Sequence, residues 1–227
     1  MTKRFSLLLI ICLAASFMMP VQMLAQNEDS FTLARIKYRG GGDWYNDPSS
    51  LKNLIEFTES RVPISIDEEY DDVSIGSREL FNYPFAFLTG HGTISLNSAE
   101  ATNIREYLEN GGFLYIDDDY GLDEHFRKII AQIFPDEELI EIPFEHAIYH
   151  QVFDFPNGLP KVHEHDGKAP RGYGLFREGK LVLFYTYESN LADGWANPEV
   201  HQNPASVRQE ALQMGVNILV YALTNGR

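Results

Sequence analysis

Three consecutive aspartates, Asp117-Asp118-Asp119, stand directly after the apolar run Phe113-Leu114-Tyr115-Ile116. Gly111-Gly112 precedes the run and Tyr120-Gly121 follows the aspartates. The apolar residues read as a short buried strand between turn signals. Neighbouring carboxylates repel one another, and each loses hydration on burial. A buried strand ending in such a run sets the middle of the fold and puts the charges where a protein uses them.

Around this strand the chain alternates between strand-like and helix-like stretches. Strands are predicted over 31–38, 63–66, 83–88 and 139–142, with an acidic surface loop over 67–72. Helices are predicted over 50–60, capped by Ser49 or Asp47, and from Asn97 or Ser98 to Asn110-Gly111. Further helices are predicted over 123–134, closed by Pro135, and over 204–223. Late strands over 173–176 and 181–187 are joined by Glu178-Gly179, a hairpin signal, and a long loop over 189–203 holds Trp195. The pattern predicts an α/β protein: a three-layer, flavodoxin-like parallel sheet with helices on both faces and an added C-terminal β-hairpin. Ligands of such sheets bind beyond the carboxyl ends of the strands. That edge collects the unusual loops.

The ends and the charge balance narrow the function. Lys3 and Arg4 precede an apolar run that ends at Met23-Leu24-Ala25, which predicts a secretory signal peptide over 1–25 and a single domain over 26–227. The expected protein is exported, periplasmic or extracellular. No later stretch approaches the roughly 20 apolar residues of a membrane span. The segment 1–25 carries two basic residues and no acidic one, so its removal takes the net charge from −15 to −17. Such a surface repels nucleic acid and suits cations, cationic ligands or neutral sugars. The sole cysteine, Cys12, lies in the signal segment, so the mature chain has no thiolate chemistry and no disulfide.

Candidate ligand-binding residues follow from the loops at the carboxyl edge. Gly41 and Gly42, next to Asp43 and Trp44, allow a close backbone approach, but no lysine and Ser/Thr pair follows to make a phosphate loop. Trp44 reads equally well as a core residue. His91, between Gly90 and Gly92, can act as a base, a metal ligand or a turn residue. Asp117, Asp118 and Asp119, with Tyr120, offer a helix cap, backbone anchors or a carboxylate in the cleft. In His163-Glu164-His165-Asp166 an extended backbone points the two imidazoles the same way. With Asp118 and His91 they are candidate ligands of a divalent metal. Asp193-Gly194-Trp195 adds an aromatic beside a carboxylate. No nucleophile elbow, dinucleotide fingerprint or zincin helix is present.

Taken together, Gly40-Gly41-Gly42-Asp43-Trp44-Tyr45-Asn46-Asp47, Thr89-Gly90-His91-Gly92, Gly111 through Gly121, Phe155-Pro156-Asn157-Gly158 and His163-Glu164-His165-Asp166-Gly167 resemble domain-of-unknown-function family 4159. The resemblance covers nearly the whole chain after the signal segment. It implies a class I glutamine-amidotransferase-like fold in a bacterial envelope protein. The catalytic cysteine of amidotransferases would stand where Asp117-Asp118-Asp119 stands here, so glutamine hydrolysis by a thiolate is excluded. The expected function is binding of a glycan, a peptide or an envelope protein in an acidic, histidine-bearing cleft. The alternative is a metal-assisted hydrolase using the same cluster.

Overall fold

The computed structural model describes residues 30–224; the expected signal peptide, with Cys12, lies outside them. Seven strands form one sheet: β1 (Ala34–Lys37), β2 (Asp71–Ser74), β3 (Phe85–Leu88), β4 (Phe113–Asp117), β5 (Ile140–Glu141), β6 (Arg171–Arg177) and β7 (Lys180–Tyr187). Their order is β2-β1-β3-β4-β7-β6-β5. From β2 to β7 all neighbours are parallel; β6 is antiparallel to both β7 and β5. The sheet is therefore mostly parallel, and β4 is its central strand. All five residues of β4 are buried, which is why its sequence is an apolar run rather than an alternation.

Three sequence expectations are corrected. The second strand is not 63–66, where Ile66 makes only an isolated bridge to Phe31. It is Asp71–Ser74, inside what reads as acidic loop. As an edge strand it buries only Val73, while Asp72 pairs with Arg35 at 2.8 Å and Asp71 accepts from the Tyr83 hydroxyl. The strand near 139–142 shrinks to Ile140–Glu141 and sits at the far edge, beside β6. The late hairpin is not an appendage: β7 lies against β4, in the body of the sheet. Its turn residues Glu178 and Gly179 both have positive φ (50° and 79°), which matches the twist of the paired strands.

The helices are α1 (Ser50–Glu59), α2 (Ser98–Glu109), α3 (Leu122–Ile133), α4 (Leu191–Trp195), α5 (Pro198–His201) and α6 (Ala205–Thr224). A reciprocal capping box between Asn97 and Glu100 starts α2, an arrangement whose capping side chain contributes about 1 kcal/mol. Neither expected cap of α1 works through its side chain. The Ser49 hydroxyl instead accepts from the Asn197 N–H, and the Asp47 carboxylate turns to His201. The expected loop over 189–203 contains α4 and α5. Alternate strand residues feed two apolar clusters. One joins Ile36, Ala86, Leu88, Leu114 and Ile116 to α2 and α3. The other joins Leu33, Phe85, Phe87, Phe113 and Tyr115 to α1, α4 and α6. Among the described residues no helix is long and apolar enough to cross a membrane.

Candidate functional site

Among the described residues, the loops that leave the carboxyl ends of β1, β3, β4 and β7 carry the buried carboxylates. Asp47, Asp117, Asp118, Asp119, Glu188, Asn190 and Asp193 are all buried there. The chain runs from β1 outward to β2 and then returns to β3 on the other side of β1. The β1 and β3 loops pack against each other, Gly42 N–H donating to Thr93 O and His91 N–H to Asp43, and a hollow opens beside them, lined by Asp118, Tyr120, His165 and Glu188.

The three aspartates do different work. Asp117 is fully buried and is an anchor. Its Oδ1 accepts from the Tyr115 hydroxyl (2.8 Å), the Thr186 hydroxyl (3.0 Å) and the Leu191 N–H (2.9 Å); its Oδ2 accepts from the Ala192 N–H (2.8 Å). It thereby ties the first turn of α4 to β4. Burial pushes its carboxyl up to about 6, against the pull of these donors. No aspartate side chain caps α3 itself, which starts from Gly121, but Asp119 Oδ1 accepts from the Tyr120 N–H in the turn that enters it.

Asp118 accepts from the Glu188 N–H at 2.7 Å and faces His165 Nδ1 at 3.9 Å. Burial lowers the proton affinity of His165, but Asp118, Asp119 and Glu188 outweigh it and hold the imidazole above its ordinary value. Glu188 in turn grips the segment that carries the histidines: it pairs with Lys161 Nζ at 2.5 Å and accepts from the Asp166 N–H at 2.7 Å.

Asp119 turns toward the loops after β1 and β3. Its Oδ1 lies 2.9 Å from His91 Nε2, and Asn46 donates to its Oδ2 at 2.6 Å. His91 Nδ1 lies 3.0 Å from Asp43 Oδ2, so this half-exposed ring bridges two carboxylates. Burial raises the Asp119 carboxyl, with His91, the Tyr120 N–H and Asn46 acting against the rise.

Asp193 gathers a second group. His163 Nδ1 lies 2.6 Å from its Oδ2, His201 Nδ1 3.5 Å from the same atom, and the Asn190 amide donates to it at 2.9 Å. On its far side, His201 Nε2 meets Asp47 Oδ1 at 2.8 Å. Burial, the charge of Asp119 and the adjacent Asp47 push the Asp193 carboxyl far above the usual carboxylate range. Burial and the neighbouring His201 and His165 hold His163 below its ordinary value. Two buried oxygens here, Asp47 Oδ2 and Asn190 Oδ1, have no hydrogen-bond partner. Of five non-glycine residues with positive φ among those described, Asp47, Glu188, Asn190 and Gln202 lie in these loops. Such backbone costs on the order of 1–3 kcal/mol per residue and clusters at functional sites.

The structure thus distributes the predicted residues over connected groups rather than one ligand shell. The expected metal set of His91, Asp118, His163 and His165 does not form. His91 goes to Asp43 and Asp119, His165 to Asp118 and Asn190, and His163 to Asp193. Trp195 does not line the cleft. It is fully buried between Phe87, Tyr115 and α6, donating its indole N–H to Ala211 O. Glu164 is exposed and pairs with Lys161 at 3.4 Å. Gly42 lies against the 90–95 loop: its N–H donates to Thr93 O, and a Cβ there would stand 2.8 Å from His91 O. Gly41, at φ 97°, is open. Trp44 is partly buried with the Arg35 guanidinium over it at 5.3 Å. Tyr120 is exposed and meets His165 edge-on. Asp47, Asn190 and His201 were not legible as site residues. Asp47-Pro48 reads as a helix start, and His201 sits in a four-residue helix with no pattern of its own.

Buried carboxylates and histidines on the loops beyond the carboxyl edge of a mostly parallel sheet define an α/β protein with a polar site where such sheets hold ligands. Residues 32–223 match the family described as Domain of unknown function (DUF4159), and the chain belongs to that family. Comparison with curated proteins returns no match.

Proposed function

We propose that this is an exported envelope protein whose cleft at the carboxyl edge of the sheet binds a glycan. The observation that carries the reading is the position of two exposed rings. Among the described residues, Tyr45 (59% exposed) and Tyr120 (64%) are the aromatic members of the exposed large hydrophobic residues. Tyr45 directly precedes Asn46, Tyr120 directly follows Asp119, and Asn46 donates to Asp119. Both tyrosines therefore adjoin one part-buried hydrogen bond, and Tyr120 lines the hollow beside it. An aromatic face takes the C–H face of a sugar ring, and nearby carboxylates and amides accept or donate to its hydroxyls. The acidic chain favours neutral or amino sugars over anionic ones. The basic, then apolar start of the sequence supports export. The strand order supports a flavodoxin-like, three-layer reading in which β7 takes the fifth place. Kinship to the amidotransferase-like superfamily, without its cysteine, is part of the same reading.

Calorimetric titration with a panel of neutral and amino-sugar oligosaccharides tests it. Saturable binding is expected, weakened about tenfold or 1.4 kcal/mol by Tyr120→Ala or Tyr45→Ala with little change in melting temperature. No saturable binding across the panel, or unchanged binding by both variants, would contradict it. A second reading, hydrolysis, is favoured by His91: a half-exposed imidazole held between two carboxylates is suited to acid–base work on a bound ligand. Release of reducing ends from a bound oligosaccharide, lost in His91→Gln, would establish that activity.

A further inference from the structure

The group around Asp193 has a geometry that hydrogen bonding alone does not account for. Two imidazoles aim the same atom, Nδ1, at one carboxylate oxygen, Asp193 Oδ2, at 2.6 and 3.5 Å. One donor atom from each of His163, Asp193 and His201 lies within 4.8 Å of the others. Ligands at about 2.0–2.2 Å from a tetrahedral ion stand roughly 3.4 Å apart; the His201–Asp193 pair is already at that spacing, and the His163–Asp193 pair, at 2.6 Å, opens by about 0.8 Å to admit an ion. His201 is already oriented for this. Its Nε2 faces Asp47 Oδ1 at 2.8 Å, the carboxylate–histidine pairing that fixes the tautomer and leaves the other nitrogen free to ligate.

A second observation points the same way. Asn190, whose amide donates to Asp193 Oδ2, is 1% exposed, and its Oδ1 has no hydrogen-bond partner. Asp47 lies against Asp193, so two carboxylates share this buried space. Each unsatisfied buried oxygen costs on the order of 1–3 kcal/mol, and paired buried carboxylates repel. A divalent cation on Asp193 offsets that repulsion. The side chain of His163 is 41% exposed, so the coordination sphere is open on one side, as in sites with three protein ligands and one exchangeable position. Two imidazoles and one carboxylate select a borderline ion such as Zn²⁺ over Mg²⁺ or Ca²⁺, which prefer all-oxygen shells.

We propose that His163, Asp193 and His201 bind a divalent transition-metal ion of the zinc class, with Asp47 holding His201 in its ligating orientation. The inference does not depend on the cleft's ligand being a glycan. The test uses the full chain, stripped with chelator and desalted, with Zn²⁺ as titrant and Co²⁺ as a spectroscopic probe. One Zn²⁺ per chain is expected, with visible Co²⁺ absorption of a tetrahedral site. His163→Gln and Asp193→Asn should remove the Co²⁺ spectrum and weaken Zn²⁺ at least a hundredfold. Asp47→Asn should weaken it about 10–100-fold, the usual effect of losing such a supporting group. His150→Gln, whose partners Asp154 and Phe144 O lie elsewhere, should bind as the parent does. Circular dichroism in chelator checks that each variant is folded; the exposed position of His163 makes it the variant least able to disturb the core. A stripped parent that binds no Zn²⁺ at micromolar concentration, or folded His163→Gln and Asp193→Asn that bind as tightly as the parent, would overturn the proposal. Zinc failure with intact sugar binding removes this inference alone, and sugar failure with intact zinc binding removes the glycan reading alone.

Discussion

At the start of β4, Gly112 lies against the ring of Tyr107, and a Cβ there would stand 2.2 Å from the ring. The Tyr107 hydroxyl donates to Tyr83 O and Phe113 O. The hollow beside it, about 420 Å³, is lined by residues such as Phe81, Tyr83, Pro84 and Asn110, with no carboxylate, imidazole or cationic side chain. At the end of the same strand the hollow is smaller, about 260 Å³, and is lined by Asp118, Asp123, His165, Asp166 and Glu188, with Tyr120 at its rim. The larger space is bordered by Tyr107, packed against Gly112. The smaller one is lined by buried Asp118 and by Glu188, whose φ is positive. Strand direction, not hollow size, separates fold from function in this molecule.

The largest expected effect tests the boundary between the two roles inside the charged end itself. Asp117→Ala removes the acceptor of the Leu191 and Ala192 N–H groups. At about 1–3 kcal/mol for each buried donor left unsatisfied, denaturant unfolding should show a loss of several kcal/mol. Retained stability would remove Asp117 from its anchoring role.

The pH dependence comes next. The fold raises Asp117 from 3.8 to about 6, so the native state holds this proton more tightly than the unfolded chain. Its contribution to stability is complete below about pH 4 and is lost as pH rises through about 6. Roughly 3 kcal/mol is the most it can supply, at 1.36 kcal/mol per unit. Asp119 and Asp193 are raised too and add to the loss. His146 and His163, both lowered by burial, act in the opposite sense as pH passes 6.5. Chelator-treated protein should therefore melt lower at pH 7.5 than at pH 5. A melting temperature that rises over this range would contradict the assignment of buried charge to this end.

Gly112→Ala probes the other end. Overpacking against Tyr107 should cost about 1–3 kcal/mol, read by denaturant unfolding, with zinc and sugar affinities of the folded fraction unchanged. A binding defect there would break the comparison. The smallest effect is expected at Asp118→Asn, where the amide oxygen still accepts from the Glu188 N–H. Thermal melting should detect a change of about 1 kcal/mol or less.

Much of this was readable from the chain because it is local. The Asn97–Glu100 box lies within four residues. β4 announces itself by burial on both faces, and the Glu178-Gly179 turn by its residue types. What was not readable depends on distant partners. β2 exposes three of its four residues, so its sequence looks like a loop. Trp195 beside Asp193 suggests an aromatic cleft, but α6 covers it, with Gly215 packed 2.9 Å from the indole as measured from an added Cβ. The spacing of His163 and His165 turns both toward the site, yet their partners come from two other loops, Asp118 after β4 and Asn190 and Asp193 after β7. Asp47 meets His201 across 154 residues of sequence, a pairing that no periodicity encodes.

The central claim is that the end of β4 faces a site built for a ligand, and Asp193→Asn tests it most directly when melted with chelator and with Zn²⁺. The amide reproduces the protonated carboxyl that the metal-free fold favours, so in chelator the variant should melt at the same temperature as the parent or higher. Zinc should raise the melting temperature of the parent, because an ion that binds only the folded state stabilises it, and should leave the variant unmoved. A variant that melts well below the parent in chelator, yet still gains stability from zinc, would make Asp193 a structural residue and contradict the account.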